Sequence, residues 1–211
     1  MNEIKNWKFI GGRLCLDFVN SVGGRTEQDN INFPENIILK DKLENFNDLA
    51  AWSKETGIIS DSDRKKLIDL NALKAKETDS VFKKAIELRE ALFRILYNVI
   101  NDKEPEESMI QILNREYSTA NEKRKLIYLN HKFEWQFPKD PLEPDYIIWI
   151  IAESAAELLS SDLLSRIKMC RGENCGWLFL DNSKNKSRQW CDMKDCGNLA
   201  KVRRFRKKII K

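Results

Sequence analysis

The block CRGENCGWLFLDNSKNKSRQWCDMKDCGN, from Cys170 to Asn198, constrains this chain more than any other feature. It holds four of the five cysteines of a 211-residue chain. Four residues separate Cys170 from Cys175, four separate Cys191 from Cys196, and fifteen lie between the pairs. Disulfides, catalysis and metal binding are the chemistries to weigh. Disulfides persist in oxidising compartments. The opening MNEIKNWKFIGGRLCLDFVN has no basic stretch running into a long apolar one, so a cytoplasmic setting is expected. A nucleophilic cysteine wants a base, and the single histidine, His131, is far away in sequence. A zinc deaminase needs His-x-Glu ahead of its cysteines, which is absent. A zinc hydrolase keeps an open position among His and carboxylate ligands. Two equal Cys pairs fit closed, all-thiolate coordination, in which Zn²⁺ takes four sulfurs at about 2.3 Å. One structural Zn²⁺ per chain on Cys170, Cys175, Cys191 and Cys196 is the expectation.

The intervening residues supply the rest of a small module. Trp177, Phe179 and Trp190 provide an apolar core beside the metal. GWLFLD and RQWC read as the arms of a hairpin with DNSKNKS as its turn. A second Cys pair at the start of a helix would have its thiolates stabilised by amide N–H groups and the helix dipole. The module is then a zinc ribbon or treble-clef-like unit. Cys15 stands apart and reads as a buried, inert thiol.

Charge is distributed unevenly. Residues 168–211 carry 13 Lys/Arg against 4 Asp/Glu, a balance of +9, while residues 1–167 balance at −5, giving the +4 of the whole chain. A weakly acidic body with a strongly basic end points to a polyanionic partner. On a helical wheel, NLAKVRRFRKKIIK places Leu199, Val202, Phe205 and Ile209 on one side. Lys201, Arg203, Arg204, Lys207, Lys208 and Lys211 fall largely on the other, with Arg206 inside the apolar stripe. The apolar side is expected to pack on the zinc hairpin and leave the basic side free.

The body reads as mostly helical. ENFNDLAAWSKETG has helical spacing with Gly57 as a stop, and SDSDRKKLIDLNALKAKE opens on Ser/Asp caps. DSVFKKAIELREALFRILYNVIND is the clearest helix, with Val81, Phe82, Ala85, Leu88, Leu92, Ile95, Leu96 and Val99 in one stripe. EPEESMIQILNREYSTA follows, with Pro105 in its first turn. KLIYLNHKFEWQF changes to period two and reads as a hairpin, and DYIIWIIAESAAELLSS as a core helix. RLCLDFVNSV is a buried strand or short helix, and GGRTEQDN a loop. Asp17 and Asn20, set among apolar neighbours, call for backbone partners or a pair with Arg13 or Arg25. The fold class is α+β: a mostly helical body over residues 1–165 with a small sheet, then the four-cysteine module and basic helix over 166–211.

The motifs CxxxxC, FLDxSKNxSRxWC and CGN resemble the CGNR-type zinc finger of bacterial proteins. GGRLCLDFVN, the LAAW–TG segment and the sheet-then-helix ahead of the cysteines resemble the ABATE domain that accompanies it. The resemblance spans essentially the whole chain and implies zinc, DNA binding and a role as a stress-induced transcription regulator. It also implies that the SKN…SR residues Ser183, Lys184, Asn185, Ser187 and Arg188 contact nucleic acid. In one place the chain departs from the family pattern: Leu199 stands where the motif ends in Arg.

These readings converge on a zinc-dependent nucleic-acid-binding regulator whose body senses an effector or dimerises. Lys184, Lys186, Arg188 and the tail cations would hold phosphates. Asn182, Ser183, Asn185 and Ser187 would position the backbone or read base edges. Duplex DNA is the expected polymer and RNA the rival, since nothing here reads a 2′-hydroxyl. A small-molecule effector and a homodimer are further expected partners. A membrane-surface role for the basic helix ranks lower, because its apolar side is short. An enzyme is not expected, although Asp17, Asn20 and Arg25 would be its polar cluster in the body. A protein-binding zinc module is the remaining alternative.

Overall fold

The computed structural model describes residues 5–26, 37–139 and 142–209. The chain starts with an extended segment and a Gly11–Gly12 turn, then enters α1 (Leu14–Val19), so the helical alternative holds for this short apolar run. Strand β1 (Arg25–Thr26) pairs antiparallel with β2 (Ile37–Ile38). Most of the connecting loop lies outside the described residues.

Four helices follow, and local chemistry sets several of their ends. In α2 (Phe46–Glu55) the Asn45 side chain accepts the Asp48 N–H, and Gly57 past its end sits at φ 80°, where a Cβ would be strained. Helix α3 (Asp61–Leu73) starts on a reciprocal capping box between Ser60 and Asp63. It stops at Lys74, and α4 (Ala75–Ile100) starts immediately after, four residues earlier than the sequence suggests. The expected stripe faces inward: Val81, Ala85, Leu88, Leu92, Ile95 and Leu96 are buried, with Phe82 and Val99 at its margins. Helix α5 (Glu107–Lys123) begins after Glu106, leaving Pro105 just outside it rather than in its first turn.

Helix α5 leads into strands β3 (Lys125–Leu129) and β4 (Lys132–Gln136), paired over all five residues. Their two-residue turn, Asn130 and His131, has φ of 48° and 63°. That is the type I′ geometry whose twist matches the strands. Helix α6 (Tyr146–Leu159) is the centre of the body. It buries Ile147, Ile148, Trp149, Ile151 and Ala152 against α1, α4 and α5. Large side chains such as Trp149 and Trp52 contribute on the order of 2–3 kcal/mol each when fully buried.

The C-terminal part of the molecule grows out of this core. A 3₁₀ turn (Asp162–Arg166) leads to β5 (Ile167–Met169), which pairs antiparallel with β6 (Leu178–Leu180). A single π turn (Met193–Gly197) then runs directly into α7 (Asn198–Ile209). The fold is therefore a mostly helical body with small two-stranded sheets, followed by a four-cysteine cluster and a C-terminal helix.

Packing is continuous across the sequence boundary near Ser165. Successive β6 side chains point to opposite faces. Leu178 and Leu180 join the body's core, while Phe179 joins a second cluster with Val22, Trp177, Cys170 and Cys191. Main-chain bonds reinforce the join: Leu180 donates to the Gly11 carbonyl at 2.8 Å, and Arg25 to the Cys175 carbonyl at 3.0 Å.

Candidate metal centre and nucleic-acid interface

The hairpin that carries the first cysteine pair differs from the expected one. GWLFLD pairs with the segment before Cys170, through Ile167–Leu180, Lys168–Phe179 and Met169–Leu178. RQWC forms no regular strand, although Arg171 donates to the Gln189 carbonyl at 3.1 Å. The physical reason lies in the flanking residues. Ile167, Leu178 and Leu180 all have a body core to bury against, which the polar Arg188–Gln189 pair lacks. Cys170 and Cys175 thus occupy the loop at the tip of β5–β6.

Cys191 and Cys196 flank the π turn, and the fold brings all four sulfurs together. Their Sγ atoms lie within 4.8 Å of one another. Cys175 and Cys191 sulfurs are 3.6 Å apart, and Cys191 and Cys196 sulfurs 3.7 Å. A tetrahedron of zinc–sulfur bonds at about 2.3 Å has edges of about 3.8 Å. The donor set fits a divalent metal in size and chemistry, and none of the four is disulfide-bonded.

Backbone groups are aimed at the cluster. The Gly172 and Cys191 amides donate to the Cys170 sulfur at 3.4 and 3.3 Å. Thiol donors from Cys175 and Cys191, with those amides, pull the Cys170 thiol well below its ordinary range. The same crowding pushes Cys175 and Cys191 up. Without a cation, four adjacent sulfurs cannot all ionise, and a bound divalent ion removes that cost. Gly172 is needed for closeness, since a Cβ there would meet the Cys196 sulfur at 2.9 Å. Trp177 and Phe179 are buried beside the cluster and Trp190 is half-buried, as expected.

Cys15 is remote from the cluster. Its thiol is 3.5 Å from the Ser154 carbonyl, and burial pushes it up to about 11. It is the inert thiol expected.

The 182–187 loop is organised by a residue the sequence reading did not single out. Asp181, fully buried, accepts from the Ser183 hydroxyl at 2.6 Å, the Ser183 amide at 2.9 Å, the Arg188 amide at 3.0 Å and the Lys168 ammonium at 2.7 Å. Burial alone would raise its carboxyl, but Lys168, Ser183 and Arg188 outweigh burial and hold it well below the usual carboxylate range. Its place in FLDxSKN was the available signal. Around this anchor Asn182, Lys184 and Asn185 are exposed, with no hydrogen-bond partner among the described residues. Lys186 and Ser187 are exposed too, although Lys186 gives its carbonyl to Lys168 and the Ser187 amide donates to the Ser183 hydroxyl at 3.1 Å. Arg188 turns inward. Its guanidinium donates to the Trp190 carbonyl at 2.9 Å and to the Cys191 carbonyl, and lies 4.4 Å from the Phe179 ring centroid.

Helix α7 begins two residues after the last cysteine. Lys201, Arg203, Arg204, Arg206 and Lys207 are all exposed on it. Arg203 pairs with Glu173 of the first cysteine loop at 2.5 Å. The Lys208 side chain and Lys211 lie outside the described residues. The apolar side does not pack on the hairpin as expected: Leu199 is 56% exposed, Val202 47% and Phe205 65%. The physical reason is that β5–β6 buries its own apolar residues against the body, so it has no apolar face left for the helix.

The other polar candidates are separated. Asp17 accepts the Gly11 amide at 2.8 Å, and burial pushes its carboxyl up to about 6. Asn20 is bonded to the backbone of Leu178. Arg25 forms a two-pronged pair with Glu90 at 2.7 and 3.0 Å and stacks 3.9 Å from the Phe93 ring centroid. Glu90 also takes Arg89, which is fully buried and clamps Asp41 at 2.6 and 2.8 Å. Asp17 lines a cleft of about 360 Å³, which neither Asn20 nor Arg25 lines. The backbone-partner reading holds for Asp17 and Asn20, whereas Arg25 belongs to a buried ion network. Among the described residues, no helix is long and apolar enough to cross a membrane.

Comparison with known proteins agrees with this geometry. Residues 166–208 match the family model described as CGNR zinc finger. No curated protein matches the chain. Residues 12–162 match the model of the ABATE family, described as "Putative stress-induced transcription regulator", and neither description is of an enzyme. With a match over well more than half its length, the chain belongs to the ABATE family and carries a CGNR zinc finger behind that domain.

Proposed function

We propose that this protein is a cytoplasmic transcription regulator that binds duplex DNA through a zinc-ordered C-terminal module, with residues 1–165 serving as a sensing or pairing domain. One Zn²⁺ per chain would be held by Cys170, Cys175, Cys191 and Cys196, whose unpaired thiols suit a reducing compartment. The observation that carries the reading is the continuity of metal site and basic helix. Cys196 lies in the π turn that runs straight into α7, and five cations stand exposed over residues 201–207. A metal bound there would fix the direction of the helix, and with it an array of cations suited to phosphate contacts. Lys184 and Lys186 would extend the contact, and Asn182 and Asn185 would reach base edges.

A sensing role draws support from a cleft of about 1070 Å³ between the N-terminal segment and α2–α3. Trp7, Phe9, Lys54, Arg64 and Ile68 are among its lining residues. Its lining mixes the cations Lys5, Lys54 and Arg64 with the carboxylates Glu44, Asp48 and Glu55, which suits a small polar ligand with an apolar part.

The test is a titration of the full-length, zinc-loaded chain against duplex DNA, duplex RNA and single strands at matched salt. Duplex DNA should bind best, and with about five phosphates neutralised log K should fall with log salt at a slope of roughly −4 to −5. Replacing Lys201, Arg204, Lys207 and Lys208 by Gln should flatten the slope while zinc content stays the same. Absence of binding at low salt removes the reading, and preference for RNA transfers it to the other polymer.

A further inference from the structure

The hairpin β3–β4 is the most apolar exposed surface among the described residues. Its register pairs Leu126 with Trp135 and Tyr128 with Phe133. Alternation puts these four side chains on one face. That face is bare: Leu126 is 52% exposed, Tyr128 60%, Phe133 69% and Trp135 59%. The Tyr128 and Phe133 rings lie 4.9 Å apart, so the apolar surface is contiguous. The charged side chains of the hairpin, Lys125, Lys132 and Glu134, alternate onto the other face together with Ile127 and Leu129. Among the described residues the two strands pair only with each other, so both edges are open. At the base, Arg124 lies 5.6 Å from the Trp135 ring centroid and pairs with Glu153 of α6 at 3.0 Å, so the hairpin is tethered to the body.

Water-exposed apolar surface of this kind is costly, and contiguous patches beyond a few hundred Å² mark interaction sites. Aromatic side chains present about 150–250 Å² each, so this face leaves roughly 400–500 Å² per chain to be covered. Two such faces together bury roughly 800–1000 Å², near the lower end for a specific but reversible interface.

We infer that this face is where two copies of the chain associate, the Tyr128–Phe133 pair of one copy lying over the Leu126–Trp135 pair of the other. A second copy is the occupant the chemistry selects. The one charge beside the face, Arg124, is already paired with Glu153, and the only polar groups of the four side chains are the Tyr128 hydroxyl and the Trp135 indole N–H, so little attracts or orients a charged partner. Two identical apolar faces match in polarity, and a twofold interface uses the same patch on both subunits. This takes up the pairing half of the role proposed for the body, and it stands or falls without reference to nucleic acid.

The experiment is sedimentation velocity of the full chain, without nucleic acid, from about 1 to about 200 μM, a range that suits a small, reversible interface. The wild type should convert from monomer to dimer within that range. The double variant Phe133→Lys and Trp135→Lys should weaken association at least about 30-fold, since it buries two charges in each face. Ile127→Lys on the opposite face should leave the dimer unchanged. Helical circular dichroism and zinc content serve as controls that both variants are folded. A wild type that stays monomeric at the highest concentration overturns the inference. So does a dimer that survives the double variant, or one that Ile127→Lys disrupts equally.

Discussion

The side-chain amide of Asn20 treats Leu178 as a neighbouring strand would, across 158 residues of sequence: its Nδ2 donates to the Leu178 carbonyl at 2.7 Å, and its Oδ1 accepts the Leu178 N–H at 2.9 Å. Both partners are buried. Asn20→Ala leaves a buried N–H and a buried carbonyl unpaired, at about 1–3 kcal/mol each, so a loss of roughly 2–5 kcal/mol is expected. Urea unfolding followed by circular dichroism measures it.

The same join sets how the two halves unfold. Ile167, Leu178 and Leu180 sit in the body's core, so a chain ending at Ser165 exposes that core and should aggregate or lose cooperativity. In the full chain, loss of helical signal and release of zinc to a chromogenic chelator should coincide on one denaturant curve. Two separated transitions would show that the halves are independent.

Metal binding should be specific to four of the five cysteines. Elemental analysis is expected to give one zinc per wild-type chain, almost none for Cys191→Ser, and an unchanged value for Cys15→Ser. Cys191 loses a sulfur from the cluster, whereas the Cys15 thiol is held by Ser154 in the body. Chelation should also lower the midpoint of thermal unfolding, because metal binding contributes to folding free energy.

Asp17 should give the chain an acid-side increment of stability. Its carboxyl is raised from 3.8 to about 6, first by burial, so the folded chain holds this proton more tightly than the unfolded chain does. The increment is full below about pH 4 and lost as the pH rises through about 6. Asp17→Asn keeps the acceptor for the Gly11 amide and removes the buried charge. The variant should match wild type near pH 4 and exceed it by about 1–2 kcal/mol at pH 7.5, after discounting for partial exposure. Paired denaturation curves at the two pH values read the difference.

Arg188 and Lys184, both in the SKNKSR stretch, should respond differently to substitution. The donors of Arg188 are taken up by the carbonyls of Trp190 and Cys191, so Arg188→Gln is expected to cost about 2 kcal/mol and loosen the metal loop. Lys184 is exposed and unpartnered among the described residues, so Lys184→Gln should leave stability within about 0.5 kcal/mol. If the proposed interface is right, Lys184→Gln lowers DNA affinity and reduces the salt slope by about one. Thermal melts and DNA titrations on the same two variants separate the roles.

The sequence by itself determined whatever depends on near neighbours along the chain. Equal cysteine spacings identified the metal cluster, because loop reach and thiolate chemistry are local. Ser60 and Asp63 announced the start of α3, and alternation around Asn130–His131 announced the β3–β4 hairpin, because caps and turns are settled within a few residues. The tertiary structure decided which surfaces meet. The β6 strand chose β5 over the RQWC segment because its two leucines are buried in a core built by residues from Cys15 to Leu158. Arg25 found Glu90, 65 residues on, through a contact that no local pattern records. The apolar sides of α7 and of the hairpin were legible as stripes, but their exposure was not. A stripe states that a side chain favours burial; whether anything covers it depends on where the rest of the chain has already been used.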